Sequence, residues 1–256
     1  MSISLLLITS VVFSATFLTL CFSADQQYEK CQSPLRCGSG SAVFPSITYP
    51  FWGTEIDKPD YCGLSPFKLS CEDNQNLTLD IGNLTLGVVS ANLDNKAITV
   101  ADESLFKGGG CPKIFNFNGN DHFSLSHNTQ TIDLFINCSG GSQIGSLSSI
   151  SCKPSYNSTN TTYHFFGKSS PGQGCINAGE IPMVRFAKND LYQSNLALNM
   201  ALKQGFELIY NIQDKNCRDC TNSSGVCGSE PGSENFRCLC KDKPHNSSCS
   251  VNGDQG

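Results

Sequence analysis

Short stretches of alternating apolar and polar residues recur along the chain. In Asn76-Leu77-Thr78-Leu79-Asp80-Ile81, Leu77, Leu79 and Ile81 share one face. Asn76, Thr78 and Asp80 share the other, which is the two-residue period of a half-buried strand. Asn83-Leu84-Thr85-Leu86-Gly87-Val88 repeats the arrangement. By the same criterion strands are predicted at Val43–Tyr49, Phe67–Cys71, Leu77–Ile81, Leu84–Ser90, Ala97–Val100, His122–Ser126, Thr131–Asn137, Tyr163–Phe166, Ile181–Phe186 and Phe206–Asn211. Glycine, proline and asparagine between them argue for antiparallel β architecture. One segment has a helical period instead. Asp190 can cap it, Leu191, Leu198 and Leu202 share a face, and Gly205 supplies the stop. Gly108-Gly109-Gly110 reads as a loop, Ser139–Ser151 as a Gly/Ser-rich connection and Asn157–Thr162 as an exposed tip. The predicted fold is mainly β and disulfide-stapled: two small antiparallel β-rich modules with one short helix, divided near 139–151.

The first 24 residues differ in kind. No charge occurs from Leu5 to Phe22, and the small residues Cys21, Ser23 and Ala24 suit signal peptidase cleavage near Ser23 or Ala24. Residues 1–24 are therefore expected to be a cleaved signal peptide. The rival is a membrane anchor, since the stretch approaches spanning length, although Thr9, Ser10, Ser14, Thr16 and Thr19 dilute it. Cleavage changes the cysteine arithmetic. Of 15 cysteines, Cys21 leaves and 14 remain: Cys31, Cys37, Cys62, Cys71, Cys111, Cys138, Cys152, Cys175, Cys217, Cys220, Cys227, Cys238, Cys240 and Cys249. An even number in a secreted chain implies disulfides, with connectivity open at this point. N-glycan acceptor sequences begin at Asn76, Asn83, Asn137, Asn157, Asn160, Asn222 and Asn246.

The C-terminal cysteines form their own pattern. Cys217-Arg-Asp-Cys220 followed by Cys238-Leu-Cys240 would pair as a zinc site in a reducing compartment, but secretion favours disulfides. A thioredoxin-like role for Cys217 and Cys220 lacks the surrounding βαβ pattern. The ending Cys238-x-Cys240-x8-Cys249, with Phe236 before it, resembles the end of an EGF-like module. That resemblance implies the pairs Cys217–Cys227, Cys220–Cys238 and Cys240–Cys249.

In the N-terminal half, Cys31 and Cys37-Gly38 are followed by Ile47-Thr48-Tyr49-Pro50-Phe51-Trp52-Gly53. Lys58-Pro59-Asp60-Tyr61-Cys62-Gly63 and Phe67-Lys68-Leu69-Ser70-Cys71 then follow. This order resembles the galacturonan-binding domain of plant wall-associated receptor kinases, in particular the leaf-rust-resistance type. Gly174-Cys175, Ile181-Pro182-Met183-Val184, Gly205-Phe206-Glu207-Leu208-Ile209-Tyr210 and Cys217 to Cys240 resemble the C-terminal module of the same family. The family often has Trp where Tyr210 stands. The expected domains are a galacturonan-binding-like domain at 25–138, the connection at 139–151, and a C-terminal-like module at 152–256 with its EGF-like part at 217–249. The resemblance implies a ligand, a cell-wall pectic polysaccharide or oligogalacturonide, and a location in the cell wall or on the outer face of the plasma membrane. A full receptor of this family continues into a transmembrane helix and a kinase. The chain has no Gly-rich ATP loop, His-Arg-Asp or Asp-Phe-Gly, so it reads as an ectodomain without its kinase.

Charge and chemistry narrow the function. The chain carries 17 basic and 22 acidic side chains, a net of −5, which removes the electrostatic drive for nucleic-acid binding. His122, His127, His164 and His245 form no H-E-x-x-H and no G-x-S-x-G occurs, so neither catalysis, a resident metal nor a cofactor is expected. The local candidates for ligand contact are Tyr49, Phe51, Trp52 and Tyr61, whose faces could stack on sugar rings, with Pro50 holding the segment extended. The opposing role is core packing over the disulfides. Residues 25–115 have seven basic and eleven acidic groups, so a broad cationic groove for a polyanion is not expected, only a local patch from Arg36 and Lys58. Two functions follow: a polysaccharide-binding ectodomain of a receptor-like protein, or a protein-interaction ectodomain recognising a peptide or a membrane co-receptor.

Overall fold

The computed structural model describes residues 25–37, 42–44, 47–73, 75–105, 111–114, 117, 119–139, 148–154, 159–166, 171, 174–185, 198–213 and 215–250. The predicted leader, the glycine triplet at 108–110, Asn157 and the start of the predicted helix at 190–197 lie outside these residues. The fold divides into two compact units, and neither is contiguous in the chain. One joins Arg36–Ile47 to Lys68–Ile212. The other joins described residues up to Leu35 to Thr48–Phe67 and to those from Gln213 onward. The division expected near 139–151 follows chain order, whereas these units interleave early and late segments.

The larger unit is built on two antiparallel sheets. Strands β3 (Leu69–Glu72), β4 (Asn76–Ile81), β5 (Leu84–Asn92), β6 (Ala97–Asp102), β7 (Phe123–Leu125) and β12 (Phe206–Tyr210) form the first, in the order β3-β4-β5-β6-β12-β7. Strands β8 (Thr129–Ile136), β9 (Ser148–Cys152), β10 (Thr161–Phe165) and β11 (Ile176–Val184) form the second, in the order β11-β8-β10-β9. A short ribbon of β1 (Leu35–Cys37) and β2 (Ala42–Phe44) precedes them. The alternation of β4 holds for Leu77, Leu79 and Ile81, which are buried, and for Asp80, which is exposed. Thr78 departs from it: the residue is buried and its hydroxyl donates to the Ser70 carbonyl at 3.5 Å. Strand β9 lies where a connection was expected. Ser148, Ile150 and Cys152 are buried while Ser149 and Ser151 are exposed, a two-residue period written in side chains too small to register as a strand.

Helix α2 (Leu198–Gln204) buries Leu198, Ala201 and Leu202 among Leu105, Ile132, Leu134, Ile150, Phe165, Ile181 and Met183. Cys37–Cys71, Cys111–Cys152 and Cys138–Cys175 are the disulfides of this unit. The helix ends at Gly205, as its sequence predicts. Gly205 has φ +74°, and a Cβ there would sit 2.1 Å from the Val100 carbonyl oxygen of β6. Both the left-handed backbone and the close approach of β6 require glycine. Gly205→Ala is expected to cost about 2–4 kcal/mol, read as a lowered denaturation midpoint of the oxidised protein; an unchanged midpoint would contradict this packing.

In the smaller unit the expectation of a single helix is corrected. Helix α1 (Gln26–Gln32) starts at Asp25, whose carboxylate accepts from the backbone N–H groups of Gln27 at 2.8 Å and Tyr28 at 3.4 Å. Only Tyr28 and Cys31 of this helix are buried, one contact per turn, which is too short a repeat to stand out in sequence. Helix α3 (Lys215–Asn222) places Cys217 and Cys220 three residues apart and so on one side. Cys220–Cys238 and Cys217–Cys227 link it to the hairpin of β13 (Val226–Ser229) and β14 (Phe236–Leu239). With Cys240–Cys249 these are the three pairs implied by the EGF resemblance. Cys31–Cys62 ties α1 to the turn at Asp60–Cys62, and Tyr28, Cys31, Cys62 and Leu239 pack together.

Lys58 completes this unit. It is only 2% exposed, and its ammonium donates to the carbonyls of Cys31 at 2.6 Å and Lys30 at 3.3 Å, at the C-terminal end of α1. Helix carbonyls there have no partner within the helix, and a cation also complements the dipole. Burial lowers the Lys58 pKa to about 8, opposed by Asp57 and reinforced by Lys30. A folded pKa below the unfolded value means that the unfolded chain holds more protons between pH about 8 and about 10.5. The Lys58 contribution to stability therefore rises with pH across that window, opposed as pH nears 10 by Tyr49 and Tyr210, whose pKa values burial raises to about 12. Lys58→Met is expected to cost about 1–3 kcal/mol at neutral pH by orphaning the Cys31 carbonyl, the Lys30 carbonyl keeping the Ser33 hydroxyl at 2.7 Å, and to abolish that contribution. Denaturant titrations at several pH values measure both, and a stability difference between wild type and Lys58→Met that stays constant from pH 8 to 10 would refute the assignment.

Candidate functional site

The six residues proposed for ligand contact are divided between the two units. Tyr49, Phe51, Trp52, Lys58 and Tyr61 belong to the smaller unit, and Arg36 to the larger, exposed on β1. The expected Arg36–Lys58 patch is corrected on the side of Lys58, whose ammonium is spent on helix carbonyls. Phe51 is also corrected: it is 1% exposed and meets Phe67 edge-on at 5.6 Å. The segment around it is not extended. The chain turns at Tyr49-Pro50, joined by a cis peptide bond, and the Phe51 N–H donates to the Thr48 carbonyl at 3.0 Å.

Tyr49 and Tyr61 are half-buried against the disulfides. Tyr49 packs on the cluster of Cys220, Cys227, Cys238 and Cys240 and meets Phe236 edge-on at 6.2 Å. Burial, with the Glu234 charge adding to it, pushes its hydroxyl up to about 12. Tyr61 packs beside Tyr28, Cys31, Cys62 and Leu239, and burial raises its pKa as well. Both rings do the work of core.

Trp52 is placed differently. Its indole N–H donates to the Leu64 carbonyl at 2.8 Å, which fixes the ring, and the ring lines a half-open cleft of about 450 Å³. Asp60, Gly63, Ser65, Gly232, Ser233 and Glu234 form the rest of the lining. Gly63 is needed for close approach: a Cβ would lie 2.3 Å from the Pro50 carbonyl oxygen and 2.8 Å from Cδ1 of Trp52. The opposite wall comes from the β13–β14 hairpin and is stitched in place by hydrogen bonds. Gly232 N–H donates to Asp60 Oδ2 at 3.3 Å, and the Ser229 hydroxyl donates to the Gly63 carbonyl at 2.8 Å. The cleft offers one aromatic face, two carboxylates and two hydroxyls, and among the described residues its lining contains no cationic side chain. Asp60, Ser65, Ser233 and Glu234 were not legible as a group, because two come from each of two segments about 170 residues apart.

Two other features carry less. Cys240, Asp242 and His245 converge, as do Cys238, Cys240 and Cys249, but these thiols are consumed in disulfides. His245 bonds the Asp242 carboxylate at 2.9 Å and holds its pKa below the ordinary value. Among the sequon asparagines, Asn83, Asn137, Asn160, Asn222 and Asn246 are exposed and Asn76 is half-buried.

Among the described residues no helix is long and apolar enough to cross a membrane. No solved structure matches the chain. Residues 31–102 match the family model "Wall-associated receptor kinase galacturonan-binding", and residues 137–243 match "Wall-associated receptor kinase C-terminal". Similar proteins from Arabidopsis thaliana include leaf rust 10 disease-resistance locus receptor-like protein kinase-like 2.1, 27% identical over 90% of this chain and 37% of the relative. The kinase-like 1.4 protein is 27% identical over 93% of this chain and 34% of its own, and kinase-like 2.8 is 26% identical over 81% and 22%. The chain thus spans about a third or less of these relatives. It carries the galacturonan-binding region of the wall-associated receptor kinase family followed by that family's C-terminal region, as in the ectodomains of the leaf-rust-type receptor-like kinases.

Proposed function

We propose that the protein is the ligand-facing part of a cell-surface receptor system and binds pectin-type polysaccharide outside the cell. The match of residues 31–102 to a galacturonan-binding family supports the ligand class. Seven disulfides and the sequons support an extracellular, glycosylated chain. The observation that carries the reading is Trp52. Trp52 lines a cleft, while Phe51 is core and Tyr49 and Tyr61 cover disulfides.

Charge decides which sugar unit this cleft takes. Unesterified galacturonate carries a carboxylate, which Asp60 and Glu234 repel. A methyl-esterified unit is neutral, presents C–H groups to the indole and offers hydroxyls to the two carboxylates as acceptors. The chemistry required is binding alone, with no bond made or broken. Trp52→Ala is expected to weaken binding of a fully methyl-esterified oligogalacturonide about tenfold, or about 1.4 kcal/mol, with the near-ultraviolet circular dichroism of the disulfide core unchanged. Loss of that core signal would make Trp52 structural. Glu234→Gln is expected to improve binding of the de-esterified oligomer at low ionic strength, where repulsion is least screened. A blank glycan panel together with saturable capture of one peptide or co-receptor would favour the protein-interaction role instead.

A further inference from the structure

The larger unit holds a second cleft of about 590 Å³, lined by Val89, Ser90, Thr99, Asn128, Val184, Arg185, Gln204 and Glu207. That size is ample for sugar units. Its floor is a row across three adjacent strands: Ser90 of β5 pairs with Thr99 of β6, and Thr99 pairs with Glu207 of β12. Residues directly opposite in register point to the same face of a sheet, so two hydroxyls and a carboxylate stand side by side. The β5 ladder is irregular between Val88 and Ser90, and Val89 there is 40% exposed. An apolar side chain so placed beside hydroxyls suits a ring with both C–H and O–H faces.

Arg185 supplies the cation. It follows β11, and its N–H donates to the Asn128 carbonyl at 2.7 Å while Nη2 donates to the His127 carbonyl at 2.9 Å. Gln130 Nε2 bonds the Arg185 carbonyl at 3.0 Å. Three contacts to β8 and the turn before it therefore hold the residue, and among the described residues Nη2 is the one guanidinium nitrogen hydrogen-bonded to the chain. Glu207 does not claim it. Glu207 Oε1 accepts from the Ser126 hydroxyl at 2.5 Å and from Asn128 Nδ2 at 3.0 Å. Gln204 is the remaining polar wall, and its Oε1 is buried with no donor, an acceptor that a hydroxyl would satisfy once the amide turns.

We infer that this cleft binds a free uronate unit of the polysaccharide, its carboxylate on the Arg185 guanidinium and its hydroxyls on Ser90, Thr99 and Gln204. The inference rests on the pectin reading above and adds to it a site for the charged form of the sugar. Both matched segments build the site: Ser90 and Thr99 lie within 31–102, and Arg185, Gln204 and Glu207 within 137–243. A guanidinium distinguishes a carboxylate from its methyl ester because only the former accepts a charge-assisted pair.

Calorimetric titration of the full chain with a de-esterified and a fully methyl-esterified oligogalacturonide tests it. Arg185→Gln is expected to weaken the de-esterified oligomer at least tenfold and to leave the esterified one within twofold. Ser90→Trp fills the cleft from its floor and keeps the Arg185 side chain unchanged, and it is expected to do the same, so the test survives if one variant misfolds. If both variants bind the de-esterified oligomer as wild type does, the site is wrong and the pectin reading stands. If wild type binds neither oligomer, both fail.

Discussion

The pairing of β12 with β6 is the interaction on which the larger unit depends. It runs from Phe206 opposite Val100 to Ile209 opposite Ala97, joining residues more than a hundred positions apart. On its other side β12 pairs with β7, so a late strand completes the middle of a sheet begun by early ones. Backbone groups in a central strand must find partners in the ladder. Removing β12 would leave both β6 and β7 with open edges. Gly205 sets where β12 begins, and the β6 carbonyl pressed against it leaves no room for a side chain.

Contacts so distant in sequence have a high loop-closure cost, and the disulfides offset it. The four bridges from Cys31, Cys37, Cys111 and Cys138 close loops with separations of 31 to 41 residues. In the chain-entropy picture each contributes about 3–4 kcal/mol by restricting the unfolded chain. The three C-terminal bridges close shorter loops and concentrate around α3 and its hairpin. There they replace a hydrophobic core: the cluster under Tyr49 and Phe236 is made of cysteines. Tyr49 and Tyr61 are aromatic because sulfur bridges need a cover, whereas Trp52 lines a cleft.

Much of this was legible in the sequence, and the failures have physical causes. Strands with large alternating side chains were read near their observed ends, such as Leu77–Ile81 against Asn76–Ile81 and Phe206–Asn211 against Phe206–Tyr210. Strand β9 was missed because serines fill its outward positions and its inward ones are Ser148, Ile150 and Cys152. Helix α1 was missed because seven residues give two core contacts. Lys58 could not be read as buried, since nothing local shows that two carbonyls of α1 would converge on it. The Trp52 cleft was half legible: the indole stood out, but its facing carboxylate Glu234 arrives through the fold of the C-terminal hairpin.

The two clefts differ in one respect that composition hides. Residues 25–115 are net acidic, which argues against attraction to a polyanion if charge is averaged over the surface. Binding is decided by the charges within a Debye length of the ligand, roughly 8 Å at physiological ionic strength. Among the described residues the Trp52 cleft has Asp60 and Glu234 in its lining and no cation. The other has Arg185, with the nearby Glu207 already accepting from Ser126 and Asn128. A polymer that carries a carboxylate on some units and an ester on others presents both kinds of charge to the same protein. On the proposed reading each kind meets a wall of suitable sign, and the net charge of the chain governs its long-range approach to the wall and not its choice of sugar.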